Sequence, residues 1–349
     1  MKNSLTIIGS GLAGYTLVRE IRRLDKEFPI TVITADNGDY YSKPQLSNAL
    51  THHKSPEQLV LIPAEKFASQ FNINLVPNTI VESLESVQSS RIIFATGARA
   101  VRISSEKQDI LSINNLQDYQ YFRKVLDQED NKNITIIGAG LVGCEFSNDL
   151  INTDYKVTTI APENYPLARL VPEEIGLALK KAFEEKGVIW RLGEFFNPAD
   201  SPSDGILLSA IGLKPEITLA QSSAINTHRG IIVDQYLQTN QENIYALGDC
   251  MEFNGKLLPY IAPIAIAARA LAKTLLGEPT PVIYPPMPIY IKTPAYPIVV
   301  LQSDDTEGEW QIENNQDAVR ALFYHKNKLK GFALGGAFTS EAVDWLKKI

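Results

Sequence analysis

The sequence predicts an α/β protein built from two parallel βαβ units and a smaller C-terminal α+β domain. Short β-branched strands alternate with segments of helical length near the start of the chain and again from about residue 133, and this alternation is typical of parallel sheets covered by helices. A glycine-rich turn follows the first strand of each unit. From Tyr284 onward, prolines cluster and apolar residues alternate, which indicates antiparallel strands.

The first unit is predicted from its apolar runs and from the turn residues between them. Its elements are a strand at 4–8, a helix at 12–25, a strand at 30–35, a helix at 64–70, a strand at 73–76 and a buried strand that starts at Arg91 and runs into a glycine turn at Gly97. The first strand, helix and second strand of this unit form a right-handed crossover, which starts a parallel sheet.

The second unit repeats the pattern. Its predicted elements are helices at 115–127, 141–152 and 172–186 and strands at 133–137, 156–160, 188–191 and 206–211. Gly187 suits the C-terminal cap of the third helix. Near Gly230 the chain is expected to return to the first unit, with a further helix from about residue 261.

Both glycine-rich turns have the spacing of a dinucleotide-binding fingerprint. They are Gly9-Ser10-Gly11-Leu12-Ala13-Gly14 and Gly138-Ala139-Gly140-Leu141-Val142-Gly143. The first two glycines of such a turn allow a tight bend and close approach of a pyrophosphate, the third lets the helix pack on the strand, and the helix N-terminus binds the phosphates. One such spacing is weak evidence. Two copies, each between a strand and a helix, predict two bound nucleotides and suggest a redox enzyme with a flavin and a nicotinamide.

The duplication suggests that one nucleotide-binding half is inserted in the other. We predict a discontinuous FAD-binding domain at 1–112 and 230–283, an NAD-binding domain at 113–229 and a C-terminal α+β domain at 284–349.

Composition excludes several other classes of protein. A formal net charge of −7 disfavours nucleic acid as a partner. The most apolar helical stretch, 261–276, contains Arg269 and Lys273 and is too short to span a bilayer. Only two cysteines occur, which fits a reducing cytoplasm, and we expect no signal peptide. The four histidines lack metal-ligand spacing, so no metal is predicted.

Several longer segments carry a family resemblance. They are ITAD and YYSKPQLS after the first fold unit, GAGLVGCEFSNDL at the second glycine turn, NIYALGDC, YIAPIAIAARALAKTL and YPPMPIYIKTPAYP. With them the chain resembles the two-dinucleotide flavoprotein reductases, and within that group the NADH-dependent rubredoxin reductases, near relatives of ferredoxin reductases. The chain departs from that family at two places where a β-meander is usual: only Glu82 to Ser90 fill the first, and Leu192 to Gly205 is shortened in the same way.

The residues and the resemblance together assign a flavin site to the first unit. Asp36 is placed to accept hydrogen bonds from the adenosine ribose, and a turn residue in Asp-Asn-Gly is the alternative. The resemblance places Val81 against the adenine, with core burial as the alternative, and Asp249 on the ribityl chain, with a helix cap as the alternative. The full predicted set is Gly9, Gly11, Leu12, Ala13, Gly14, Asp36, Lys43, Pro44, Val81, Ala95, Thr96, Gly97, Gly248, Asp249 and Lys292.

Two of these residues are lysines that the resemblance places beside the flavin ring. Lys43, next to Pro44, offers a cation there, and a solvated loop charge is the alternative. Lys292, in Ile-Lys-Thr-Pro, is the second cation, and a surface residue in a proline-rich strand is the alternative. Lys43 and Glu145 are the predicted catalytic residues.

The nicotinamide site is predicted at the second glycine turn. Glu145 resembles the family glutamate beside the nicotinamide, and a favourable acid in the first helical turn is the alternative. Glu163 lies two positions beyond the strand tip, and no arginine pair grips a 2′-phosphate, so NADH is favoured. Gly212 begins a turn expected to close over the nicotinamide ribose, with a simple turn as the alternative. The full predicted set is Gly138, Gly140, Leu141, Val142, Gly143, Glu145, Glu163 and Gly212.

The predicted reaction type follows from the lack of a redox-active cysteine motif. No C-x-x-C or C-x₄-C occurs, and the loop around Lys43 has no cysteine, so reduced flavin has to pass its electrons out of the protein. The predicted function is hydride transfer from NADH to FAD and then single-electron transfer to rubredoxin, with a ferredoxin as the next acceptor. An NADH oxidase or diaphorase and a flavin-free nucleotide-binding protein of the same fold are the alternatives.

Overall fold

A computed structural model gives the structure of the chain and describes residues 4–200, 205–305, 307–315 and 317–349. The chain divides into two compact units, each made of three segments. Unit 1 contains Met1–Lys43, Gln58–Arg99 and Leu213–Pro285, and unit 2 contains Pro44–Glu57, Ala100–Gly212 and Pro286–Ile349.

Helices and strands are numbered along the chain. The helices are α1 (Leu12–Leu24), α2 (Ala64–Gln70), α3 (Leu116–Gln128), α4 (Leu141–Leu150), α5 (Glu173–Glu184), α6 (Thr218–Ser222), α7 (Ile261–Leu275) and α8 (Ala342–Leu346). The strands are β1 (Leu5–Ile8), β2 (Ile30–Ile33), β3 (Tyr40–Tyr41), β4 (Val60–Ile62), β5 (Asn74–Val76), β6 (Arg91–Phe94), β7 (Ala98–Ala100), β8 (Ile110–Ser112), β9 (Asn133–Ile137), β10 (Lys156–Ala161), β11 (Ile189–Leu192), β12 (Ile206–Ser209), β13 (Leu213–Pro215), β14 (Ile231–Val233), β15 (Ile244–Ala246), β16 (Met251–Phe253), β17 (Ile289–Ile291), β18 (Ile298–Leu301), β19 (Glu309–Asn315), β20 (Ala318–His325) and β21 (Lys328–Gly335).

Unit 1 is organised around a five-stranded parallel sheet in the order β15-β6-β1-β2-β5. Central β1 pairs Ile7 with Val32 on one side and with Ile93 on the other, and all three side chains are fully buried. Helices α1 and α7 pack against each other. The buried face of α1 includes Leu17 and Ile21, and this apolar stripe at helical spacing is the reason the segment forms a helix here.

Unit 2 contains a second parallel sheet, in the order β11-β10-β9-β12-β8. Its edge strand β8 pairs Leu111 with Leu208, so residues 110–112 belong to this sheet. Ala220 and Ile225, in contrast, are part of the unit 1 core. The chain passes between the compact units at Arg99–Ala100 and Gly212–Leu213, among other points, and the predicted domain bounds at 112 and 229 stay predictions. The three-domain division itself stays a prediction.

The C-terminal segment forms an antiparallel five-stranded sheet in the order β17-β18-β21-β20-β19, as the alternating apolar residues predicted. Its core includes Val299, Leu322 and the fully buried Phe332. Helix α5 packs on β20 and β21, which explains why this sheet belongs to the same compact unit as the second parallel sheet.

The shortened segment between β5 and β6 forms one 3₁₀ turn at Leu84–Ser86 and no strand. Ser83 caps that turn by accepting a hydrogen bond from Glu85 N at 3.2 Å. The corresponding segment of unit 2 is described only up to residue 200 and again from 205. None of the described helices is both long and apolar enough to cross a membrane.

Candidate functional site

The first glycine turn, in unit 1, brings backbone into contact with backbone. Gly9 has φ +112°, and a Cβ there would overlap the carbonyl oxygen of Ala95. A Cβ on Gly14 would overlap the carbonyl oxygen of Gly9, while a Cβ on Gly11 would meet nothing within 4 Å. Packing therefore requires glycine at 9 and 14, whereas at Gly11 the absent side chain leaves an open approach to the N-terminus of α1. An open, amide-rich helix start is the arrangement that binds a pyrophosphate.

The second glycine turn, in unit 2, repeats this geometry. Gly138 has φ +109°, and a Cβ there would lie 2.7 Å from the carbonyl oxygen of Ala210. A Cβ on Gly143 would overlap Gly138 O, and one on Gly140 would meet nothing within 4 Å. Leu141 and Val142 form the first turn of α4. Each compact unit therefore carries one glycine turn of the same construction, and nucleotide binding at each stays a prediction.

Asp36 lies beside the first glycine turn. Its Oδ1 accepts hydrogen bonds from Ser10 Oγ at 2.9 Å, Thr34 Oγ1 at 2.7 Å and Gly38 N at 3.0 Å. The bond to Gly38 closes a turn, which is the alternative considered for this residue, and the bond to Ser10 ties the carboxylate to the first glycine turn. Hydrogen bonding to the ribose stays a prediction for Asp36.

Ala95, Thr96 and Gly248 also lie against the first glycine turn or the start of α1, and Gly97 follows Thr96 in the chain. Gly9 packs on Ala95 O, and Thr96 Oγ1 donates to Glu216 O at 2.7 Å. A Cβ on Gly97 would meet nothing within 4 Å, and one on Gly248 would lie 2.7 Å from Ala13 Cβ in the first turn of α1. The structure thus gathers residues that are far apart in sequence around one helix N-terminus. Val81 is half-buried, and its contact with adenine stays a prediction.

Asp249 follows Gly248 and carries a partly buried carboxylate. Burial raises its pKa, and the positive charge of Lys43 partly opposes the shift. The residue keeps partial access to water. A sheltered acceptor of this kind fits a ligand that brings hydroxyl groups, such as the ribityl chain of a flavin.

In unit 2, the buried carboxylate of Glu145 forms an ion pair with the half-buried Lys292. Lys292 Nζ lies 2.9 Å from Glu145 Oε2, and Lys292 N donates to Glu145 Oε1 at 3.2 Å. Glu145 is 3 % exposed. The sequence predicted separate roles for these two residues, and the structure places them in contact.

Two loop residues complete the cluster. Lys292 Nζ donates to Pro44 O and, at 2.9 Å, to Ser47 Oγ, and Ser47 Oγ donates to Glu145 Oε2 at 2.6 Å. Pro44 was in the predicted set, but Ser47 was missed. A serine 98 residues from Glu145 and 245 from Lys292 has no local spacing signal; only its place in YYSKPQLS, one of the family segments, could have drawn attention to it.

Glu163 is paired with the arginine nearest to it. Arg169 Nη2 lies 3.1 Å from Glu163 Oε1, and Glu163 O accepts a hydrogen bond from Gly193 N at 3.0 Å. Arg169 is 86 % exposed, and contact of Glu163 with a ribose stays a prediction. At Gly212 a Cβ would meet nothing within 4 Å, and its closure over a ribose stays a prediction.

Both cysteines are buried and free. Burial raises the pKa of the Cys144 thiol and of the Cys250 thiol. Cys144 Sγ donates to Ala139 O at 3.4 Å. Protonated, buried thiols are poor nucleophiles.

Comparison with known proteins identifies the family. The model for "pyridine nucleotide-disulphide oxidoreductase" matches residues 3–268. The chain belongs to this family. A second model, "rubredoxin binding C-terminal domain", matches residues 281–349.

Curated relatives match the chain along nearly its whole length. Rubredoxin-NAD(+) reductase of Acinetobacter baylyi is 41% identical over 95% of this chain and 94% of the relative. The enzyme of the same name from Alcanivorax borkumensis is 39% identical over 97% and 95%. The 369 positions aligned with the Acinetobacter protein outnumber the 349 residues of this chain, so the relative contains segments that this chain lacks.

The solved structures confirm the fold. NADH:rubredoxin oxidoreductase from Clostridium acetobutylicum superposes with a TM-score of 0.86 at 22% identity, covering 99% of this chain and 94% of that one. The predicted family, α/β fold class and NAD(P)H-dependent oxidoreductase class are thereby confirmed, with FAD and NADH as the cofactors.

Substitution at two positions of one turn separates packing from ligand approach. Gly11 has φ −61° and an open Cβ position, so Gly11→Ala should leave the melting temperature of flavin-free protein unchanged or slightly raised. We expect FAD affinity to fall at least about tenfold, because a methyl group blocks the phosphate approach. Gly14→Ala, the matched control, should lower stability by about 1–3 kcal/mol from overpacking. Thermal unfolding measures the stability of each variant, and FAD fluorescence titration measures its FAD affinity. Unchanged FAD binding by Gly11→Ala would contradict the assignment of this turn to the FAD pyrophosphate.

Asp249 should make folding sensitive to pH. Its folded pKa lies above the unfolded value, so the folded state binds more protons and its stability falls as pH rises from about 4 through the folded pKa. Asparagine carries no charge, so its burial does not cost the desolvation free energy of a carboxylate. Asp249→Asn should therefore raise the melting temperature of flavin-free protein at neutral pH, with no gain below about pH 4, and should weaken FAD retention. A pH series of melting curves, with FAD content measured in parallel, is the check; a variant less stable at pH 7 would refute the assigned electrostatics.

Proposed function

We propose that this chain is an NADH-dependent rubredoxin reductase in which unit 1 binds FAD and unit 2 binds NADH. The observation that carries the proposal is the repeated glycine turn, with the same backbone contacts in both units. The match of residues 281–349 to a rubredoxin binding domain supports a rubredoxin as the acceptor. FAD, when bound, accepts a hydride from NADH and releases electrons singly to an iron site that takes one at a time.

The unit 1 residues hold the flavin nucleotide. The amides at the start of α1 bind the pyrophosphate, which reaches them because Gly11 has no side chain. Asp36 is placed beside the first glycine turn for a ribose, and the Asp249 carboxylate accepts hydrogen bonds from the ribityl hydroxyls. Lys43, which acts electrostatically on Asp249, borders the flavin ring in this proposal.

The unit 2 residues hold and orient the nicotinamide nucleotide. The amides at the start of α4 bind its pyrophosphate, and the Glu163–Arg169 pair supports NADH over NADPH. Glu145 neutralises Lys292 and holds the ammonium in one place. Fixing a cation in a position set by the fold is how a protein tunes the electronics of a redox ring.

The acceptor has to be an external one. Both thiols are buried and protonated, so within the chain that the structure describes no cysteine pair relays electrons. Two free, unpaired thiols are also typical of a reducing compartment, and we propose that the protein works in the cytoplasm.

An anaerobic assay with two acceptors, and a control in air, tests the proposal. We expect NADH to bleach the bound flavin in one rapid phase, and rubredoxin to be reduced with a kcat/KM at least about tenfold above that for a ferredoxin, a difference of about 1.4 kcal/mol in transition-state binding. The control is air-saturated buffer without a carrier. NADH consumption in air as fast as with rubredoxin would instead identify an oxidase, and a preparation unable to bind FAD would leave only a nucleotide-binding protein.

A further inference from the structure

One face of α4 is polar and yet buried. Glu145, Asn148 and Asp149 are three and four positions apart, so they lie on the same side of the helix. Their exposures are 3 %, 4 % and 0 %. Burying three polar side chains on one helix is unfavourable unless each has a hydrogen-bond partner, so the partners show what this face is for.

The partners are backbone amides of two separate segments. Asp149 accepts from Thr51 N at 2.7 Å on Oδ1 and from Leu50 N at 3.1 Å on Oδ2. Asn148 Oδ1 accepts from Ala295 N at 3.0 Å. Glu145 makes the corresponding bond to Lys292 N. The helix that starts at the second glycine turn thus holds the backbone of segment 44–57 through Asp149 and the backbone of segment 292–295 through Glu145 and Asn148, while Glu145 also accepts from the Ser47 hydroxyl.

The Lys292 ammonium depends on both segments. An ammonium has three N–H donors; here Nζ donates to Pro44 O and Ser47 Oγ and lies 2.9 Å from Glu145 Oε2. Two of the three acceptors belong to segment 44–57. The place of the charge is therefore set by where that segment lies, and within the described chain Asp149 is the side chain of α4 that fixes Leu50 and Thr51 of that segment by their backbone amides.

We propose that Asp149 is a positioning residue for the Lys292 ammonium and acts through segment 44–57 and its Ser47 hydroxyl. A buried carboxylate that accepts two backbone amides makes two charge-assisted bonds. An asparagine at this position has the same shape but keeps only one acceptor oxygen. Its NH₂ group would then face the second backbone N–H, so that two donors would oppose each other. The consequence for catalysis rests on the proposed function.

Chemical labelling of Lys292 tests the positioning directly. Trace acetylation of the holoenzyme, with mass spectrometry of the Lys292 peptide, reports how firmly the side chain is held, because an amine fixed by its acceptors reacts more slowly with the reagent than a free one. Loosening one acceptor should raise the Lys292 labelling rate about 2- to 10-fold. We expect this rise in Asp149→Asn and in Ser47→Ala. Asp149→Ala, which introduces no amide donor, is the second variant in case the asparagine protein folds poorly.

Asp118→Asn is the matched control. Asp118, near the start of α3, likewise accepts a backbone amide, from Asn114 N at 3.0 Å, so the same change costs a similar bond elsewhere in unit 2. Its Lys292 labelling should match the unmodified protein. A merely structural Asp149 would lower the melting temperature in the way Asp118→Asn does and leave Lys292 labelling unchanged, and that result overturns the proposal.

Rapid-mixing kinetics test the catalytic consequence separately. Asp149→Asn and Ser47→Ala should each slow flavin reduction by NADH about tenfold, with the dissociation constant for NADH unchanged, and the double variant should be no slower than Asp149→Asn alone because both act on one group. Additive losses would contradict the common route through Lys292. If flavin were not reduced in any form of the protein, the proposed function would fail while the labelling result still decided the role of Asp149.

Discussion

The structure depends on how closely a helix can approach the strand before it. In each unit the third glycine of the turn packs its Cα against the carbonyl oxygen of the first glycine, and a Cβ at Gly14 or Gly143 would overlap that oxygen. This contact fixes where α1 and α4 begin. Once the helix start is fixed, its free amides, the residues packed on it and the side chains one turn along are placed as well.

The same glycine–glycine contact fixes the start of a helix in both units, but the two helices bury different kinds of side chain. Helix α1 buries an apolar face that includes Leu17 and Ile21 and belongs to the unit 1 core. Helix α4 buries Glu145, Asn148 and Asp149 as well as apolar residues. The cost of burying polar groups is offset by hydrogen bonds to backbone amides that have no other regular partner. One copy of the motif therefore stabilises a core, while the other organises segments around an ammonium group.

Local patterns predicted most of the secondary structure. The helix at 64–70 has the predicted bounds, and α1, α3 and the strand at 133–137 agree within a residue, because helical and strand periodicity and capping residues act over short distances. Strand β2 ends at Ile33 rather than 35. Beyond it, Asp36 accepts hydrogen bonds from Thr34 and Gly38, and these bonds turn the chain out of the extended conformation.

Features made by distant residues could not be predicted in the same way. The three-residue strand β8 belongs to the second sheet because Leu111 pairs with Leu208, and no pattern in so short a segment indicates that partner. Ser47 joins the site for a similar reason. Glu145 and Lys292 were identified individually through glycine spacing and family resemblance, but their ion pair became visible only when the fold brought α4 and the Ile-Lys-Thr-Pro segment together.

The central claim is that each glycine turn holds its own nucleotide. Equilibrium binding to purified protein, with FAD and NAD⁺ quantified separately after dialysis, tests it most directly. The account predicts one FAD and one NAD⁺ per chain, with excess NAD⁺ leaving the FAD bound. A single nucleotide per chain, or displacement of FAD by NAD⁺, would contradict it.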